Sequence, residues 1–117
     1  MPRHVVAPLA DLPEGSTRIV EVSGRSIGVL NVDGTFYAVR NVCPHHGAPL
    51  CLGPVSGTML PSEPHQYVYE PDATIIRCPW HGYEFELATG RSVVGKRSLA
   101  VKTYRVAVEE DDVVLYA

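Results

Sequence analysis

The chain has 117 residues, 45% of them hydrophobic and 20% charged, the proportions of one ordinary globular domain able to bury a core without staples. Its net charge of −3 argues against a nucleic-acid partner, which wants a basic face. No apolar run approaches the roughly 18 residues that cross a bilayer, and Met1-Pro2-Arg3-His4 opens a stretch without a signal peptide's apolar core, so a cytoplasmic protein with no membrane partner is expected.

Ten glycines and ten prolines imply many turns, hence short strands rather than long helices. Residues 1–16 are proline-rich and read as an arm, with His4 in it, leading into a turn at Pro13-Glu14-Gly15-Ser16. Thr17–Val22 is β-rich and alternates weakly, so a strand is expected. Residues 26–32 and 35–40 flank Asp33-Gly34, the two-residue type I′ hairpin signal. Residues 41–57 read as loop. Residues 58–74 read as a second irregular stretch, interrupted by Pro61, Pro64 and Pro71. A short strand over 74–78 follows, then a half-exposed strand over 82–87 with Tyr83, Phe85 and Leu87 on its core side. Ala88-Thr89-Gly90-Arg91 turns the chain. A closing hairpin of 100–109 and 113–116 is joined at Glu110-Asp111-Asp112, and the acidic run from Glu109 to Asp112 reads as a solvated turn rather than a docking patch.

Two short sequences carry the chemistry: Cys43-Pro44-His45-His46-Gly47 and Cys78-Pro79-Trp80-His81-Gly82. Each puts a thiol and an imidazole within two or three residues, close enough to reach one metal centre only from a tight turn that proline stiffens and glycine permits. Three cysteines cannot all pair within the chain, and thiols beside histidines suggest a metal in a reducing compartment. Two Cys and two His would also suit tetrahedral zinc, although zinc ribbons usually space their ligands Cys-x-x-Cys. Spacing alone leaves His46 open as a ligand, because Cys43-x-x-His46 repeats the second loop. Cys51 is read as a small buried thiol rather than a third thiolate, His65 as a surface residue, and Trp80 as an apolar lid.

The pair of motifs, Cys-x-His and Cys-x-x-His, resembles the Rieske iron–sulfur family, and the likeness extends over the preceding hairpin, the strand and turn from Gly82 to Arg91, and the closing hairpin. It implies an all-β, Rieske-type antiparallel sandwich or barrel with a cluster-binding subdomain (41–93) inserted in a base domain (1–40 and 94–117). It implies one [2Fe–2S] cluster, with Cys43 and Cys78 on one iron and His45 and His81 on the other, and His46 at the rim. Neutral imidazoles in place of two thiolates raise the potential above that of an all-cysteine cluster. Trp80 occupies the position where high-potential relatives carry a second-loop cysteine, and Tyr83 the position of their serine. By the resemblance, both departures point to the ferredoxin-type branch. The segment 53–74 is longer than the resemblance implies and is expected to shield the cluster.

The functional expectation is a one-electron carrier rather than a complete enzyme, since the chain has no flavin or nicotinamide fingerprint and nothing after Leu99 beyond one hairpin. Its expected partners are a flavin-dependent reductase and a terminal oxygenase or reductase, approached as a free monomer through Pro44, His46, Pro79 and Trp80. The alternatives are a small subunit held permanently in a reductase such as a nitrite reductase, or a structural or redox-sensing module.

Overall fold

The computed structural model describes residues 2–44, 47–53, 55–60, 68–79, 84–94 and 100–117, with the backbone alone for 56–60, 68–74 and 93–94. Three two-residue turns set the strand pairing. Ser23-Gly24, Asp33-Gly34 and Glu110-Asp111 all have positive φ at both positions, the requirement of a type I′ turn, whose twist matches that of the strands it joins. The closing pairs are Val22 with Arg25, Val32 with Thr35 and Glu109 with Asp112. The Asp33-Gly34 hairpin is the one expected. The Glu110-Asp111 turn has no glycine and places two acidic residues, both exposed, in the left-handed region that Asp tolerates better than most side chains.

The strands are β1 (Arg3–Pro8), β2 (Thr17–Val22), β3 (Arg25–Val32), β4 (Thr35–Arg40), β5 (Val55–Leu60), β6 (Val68–Arg77), β7 (Glu84–Glu86), β8 (Ser92–Val94), β9 (Thr103–Glu109) and β10 (Asp112–Tyr116). They form a six-stranded sheet in the order β1-β10-β9-β4-β3-β2 and a four-stranded sheet in the order β5-β6-β7-β8. All paired neighbours are antiparallel. The described residues are thus all-β, apart from single 3-10 turns at Leu9–Asp11 and Leu50–Leu52.

The amino-terminal segment is an edge strand, not a loose arm. β1 pairs with β10 from Arg3 opposite Tyr116 to Pro8 opposite Asp112, and the Leu9 amide donates to the Asp111 carbonyl at 2.8 Å. Pro8 ends the strand, a position on a sheet edge where a missing N–H does little harm, while Ala7 is buried in the core. His4 therefore lies in a strand, its Nε2 buried without a hydrogen-bond partner among the described residues. Glu109 is likewise engaged: Oε1 pairs with Arg3 Nε at 3.3 Å and Oε2 accepts from the Tyr116 hydroxyl.

The stretch 58–74 is also more regular than its prolines suggest. β5 and β6 pair from Val55 opposite Ile76 to Leu60 opposite Val68, with a break between Ser56 opposite Ile75 and Thr58 opposite Glu70. Pro71 falls in the bulge this break creates, where no ladder bond needs its amide. Pro61, Pro64 and His65 lie outside the described residues.

Two apolar clusters share β3 and β4. Ile27, Val29 and Ala38 point into a core closed by Ala7, Leu12, Val22, Tyr104, Val113 and Leu115. Leu30 and Val39 point the other way, towards Cys43, Leu50, Ile76, Cys78 and Phe85. Being covered on both faces explains why β3 reads as a nearly continuous apolar run. It also lets the six-stranded sheet act as the platform for the two motif loops.

Candidate metal centre

β4 delivers the first loop. After Arg40, Asn41 anchors the chain back onto β3, its amide donating to the Ser26 carbonyl at 2.8 Å. Its side chain spans the loop: Nδ2 donates to Ser26 Oγ at 3.2 Å, and Oδ1 accepts from the Cys51 amide at 2.8 Å. Inside this brace the loop closes on itself. The Cys43 amide donates to the Ala48 carbonyl and the Gly47 amide to the Cys43 carbonyl, both at 2.8 Å. Gly47 has a φ of 76°, which a residue with a β-carbon adopts only with strain.

β6 delivers the second loop, ending at Arg77 so that Cys78 follows directly. The two loops meet where Gly53, leaving the Leu50–Leu52 turn, lies against the Arg77 carbonyl. β7 backs the second loop: Phe85 pairs with Ile76, and both are fully buried.

Cys43 and Cys78 are 1% and 3% exposed and belong to one apolar cluster. The prolines that follow them, Pro44 and Pro79, are exposed, so each loop passes from core to surface within one residue of its cysteine. No disulfide joins Cys43, Cys51 or Cys78, all three of which are described and buried. His45, His46, Trp80, His81 and Tyr83 lie outside the described residues, and among the described ones no three His, Cys, Asp or Glu side chains gather into a metal site. What the structure does show fits a cluster. Two soft sulfur donors from separate loops lie in one buried apolar cluster, the donor type that iron takes in iron–sulfur centres.

Cys51 has a different environment. It packs over Gly28 of β3, and its Sγ lies 3.8 Å from the Val39 carbonyl oxygen. Burial pushes its thiol up to about 12, only partly opposed by a hydrogen bond with the Gly28 backbone. It remains a neutral thiol, the small buried hydrophobe expected.

Residues 3–105 match the model of the Rieske [2Fe-2S] domain. The chain belongs to that family. Its cofactor is accordingly a [2Fe–2S] cluster. Among curated relatives, this Rieske chain is 33% identical over 113 residues to the 3-phenylpropionate/cinnamic acid dioxygenase ferredoxin subunit of Escherichia coli K12, covering 97% of this chain and 92% of that one. Among solved structures it is similar to the ferredoxin of carbazole 1,9a-dioxygenase from Nocardioides aromaticivorans IC177, with a TM-score of 0.76 at 25% identity over 98% of this chain and 97% of the other. It also matches a chain of the complex of reduced oxygenase and oxidized ferredoxin in carbazole 1,9a-dioxygenase, with a TM-score of 0.74 at 25% identity over 97% and 91% of the two chains.

Sequence reasoning singled out the two motif cysteines but missed the side chains that hold their loops. Asn41 had a local signal, since Asn at a strand end commonly bonds nearby backbone. Gly53 and Gly28 had none, because their roles are contacts with residues distant in the chain.

Proposed function

We propose that this Rieske chain is a ferredoxin that receives electrons one at a time from a flavin-dependent reductase and delivers them to a terminal oxygenase, working as a free cytoplasmic monomer. When bound, the cluster supplies the uptake and return of a single electron. The ligands in this reading are Cys43, His45, Cys78 and His81, within a cluster-binding part of 41–93 carried on a base of 1–40 and 94–117. Support for that division comes from the sheets, since among the described residues β5 to β8 form a four-stranded sheet separate from the six-stranded one, with the isolated bridge of Arg91 to Ala100 crossing the boundary.

The observation that carries the reading is the meeting of Cys43 and Cys78 in one buried cluster directly beneath exposed prolines. The protein's part is to hold the sulfurs dry and rigid while keeping the way out for an electron short. Leu50, Ala48, Ile76 and Phe85 exclude water around the thiols. Val42 and Leu52, exposed at 40% and 67%, add apolar surface beside the first loop, suited to a small, transient docking contact.

The test begins with anaerobically purified protein. Two irons, two acid-labile sulfides and a paramagnetic signal on reduction are expected, and a colourless zinc protein would overturn the reading. Alanine at Cys43, His45, Cys78 or His81 should abolish the signal, whereas alanine at His46 or Cys51 should leave it. The reduced protein should run as a monomer on gel filtration and be reoxidised by its oxygenase within single-turnover times. A stoichiometric partner that never dissociates would replace the free carrier with a permanent subunit.

A further inference from the structure

The first motif loop could have been held by packing alone, yet it is fastened to the platform by one polar side chain. Asn41 sits two residues before Cys43 and makes three hydrogen bonds, from its amide to the Ser26 carbonyl, from Nδ2 to Ser26 Oγ, and from the Cys51 amide to its own Oδ1. Ser26 is part of a rigid base, since β3 pairs with β2 on one side and β4 on the other. Cys51 lies in the 3-10 turn at the far end of the loop. One amide therefore ties the beginning of the loop, its end and the sheet beneath it to a common point.

We propose that Asn41 is a positioning residue for the iron–sulfur centre, fixing the place of the Cys43 sulfur relative to Cys78 by bracing both ends of the first loop against Ser26. The inference rests on the ferredoxin reading above and adds a residue to it. The chemistry favours an amide at this position. An aspartate would keep the acceptor for the Cys51 amide but bring a negative charge beside a centre that gains an electron. An alanine would leave the Cys51 N–H, in a residue only 5% exposed, without its acceptor. Ser26 supplies the second arm through its hydroxyl, so removing that hydroxyl should weaken the brace without releasing the loop's far end.

The experiment compares wild type, Asn41→Ala, Asn41→Asp and Ser26→Ala as loaded proteins. The readouts are iron loss to a ferrous chelator, the paramagnetic resonance spectrum of the reduced form, and the midpoint potential. Asn41→Ala should lose iron about 10-fold faster or more, the usual effect of removing a residue that orients a ligand, with a shifted or broadened spectrum. Ser26→Ala should move both in the same direction by less. Asn41→Asp should keep the spectral shape while its potential falls. If Asn41→Ala folds with a lowered melting temperature but an unaltered spectrum, potential and chelation rate, its role is merely structural and the proposal is overturned. Should Asn41→Ala fail to accumulate, wild-type behaviour of Ser26→Ala in all three measurements overturns it instead. Iron and sulfide in the wild type are measured first on the same preparations, so failure of the ferredoxin reading is seen separately from failure of this one.

Discussion

The backbone of Gly53 lies so close to the carbonyl of Arg77 that a β-carbon at position 53 would fall on that oxygen, and within 2.9 Å of its carbon. The neighbour is main chain of β6, one residue before Cys78, so it cannot swing aside as a flexible side chain could. Gly53→Ala should therefore push the two motif loops apart, at about 1–3 kcal/mol, the usual penalty of overpacking. Urea unfolding of the loaded protein gives the loss of stability, and iron content should fall with it. Gly47→Ala is the contrasting case. Among the described residues a β-carbon there meets nothing within 4 Å, so the expected cost is the strain of its positive φ, about 1–2 kcal/mol. An unchanged urea midpoint and full iron content in Gly53→Ala would show that the loops do not depend on this approach.

A second close approach links the first loop to the platform. A β-carbon at Gly28 would land on the Cys51 sulfur and 2.7 Å from the Cys51 β-carbon. Gly28→Ala alone should destabilise by about 1–3 kcal/mol. In a Cys51→Ala background the sulfur is gone but the β-carbon stays, so relief should be partial, with a coupling of about 0.5–3 kcal/mol in the double-mutant cycle. Additive effects, seen as equal losses of stability on adding Gly28→Ala to either background, would mean that Cys51 does not occupy the hollow over Gly28.

The same thiol makes stability fall at alkaline pH. Its ordinary value is 9.0, and burial raises it to about 12 in the folded protein. Between these values the unfolded chain releases the proton and the folded chain keeps it, so rising pH favours unfolding. The contribution is fully present below about pH 9 and is lost progressively towards pH 12, with a limiting slope of about 1.4 kcal/mol per unit. Wild type and Cys51→Ala should show parallel urea midpoints below about pH 9, and wild type should then fall more steeply. Ionisations common to both proteins cancel in the difference. Parallel curves up to about pH 11 would place the thiol in a wetter setting than its 5% exposure indicates.

The elements legible in the sequence are those whose physics is local. Asp33-Gly34 specifies a turn by backbone conformation, and both residues have positive φ. Phe85 and Leu87 alternate with Glu84 and Glu86, and the two apolar side chains are buried while the acids are half-buried. What proved illegible depended on distant partners. β1 owes its order to β10 at the other end of the chain, and no periodicity in residues 1–16 announces that. Pro71 looked like a strand breaker because nothing in the sequence shows that β5 and β6 fall out of step there. At the metal centre, the Cys motifs were visible as a pattern of ligand types, whereas Asn41 and Gly53 act through Ser26, Cys51 and Arg77.

The exposed apolar residues beside the first loop lead to a prediction about partner recognition that leaves the centre itself untouched. Leu52 is 67% exposed although it follows the buried Cys51, so a polar replacement should alter stability by no more than about 0.5 kcal/mol, as at most surface positions. If the oxygenase docks over this rim, Leu52→Asp places a hydrated carboxylate where an apolar contact forms. A loss near 1.4 kcal/mol raises the KM for the ferredoxin about 10-fold. Ile19→Asp is the matched control, an equally apolar residue, 41% exposed on β2 at the edge of the base sheet. Potential and paramagnetic spectrum should match wild type in both variants, so a slower reaction can be assigned to association. Steady-state turnover of the oxygenase at varied ferredoxin concentration decides the matter, and equal KM values for Leu52→Asp and Ile19→Asp would move the docking surface away from the first loop.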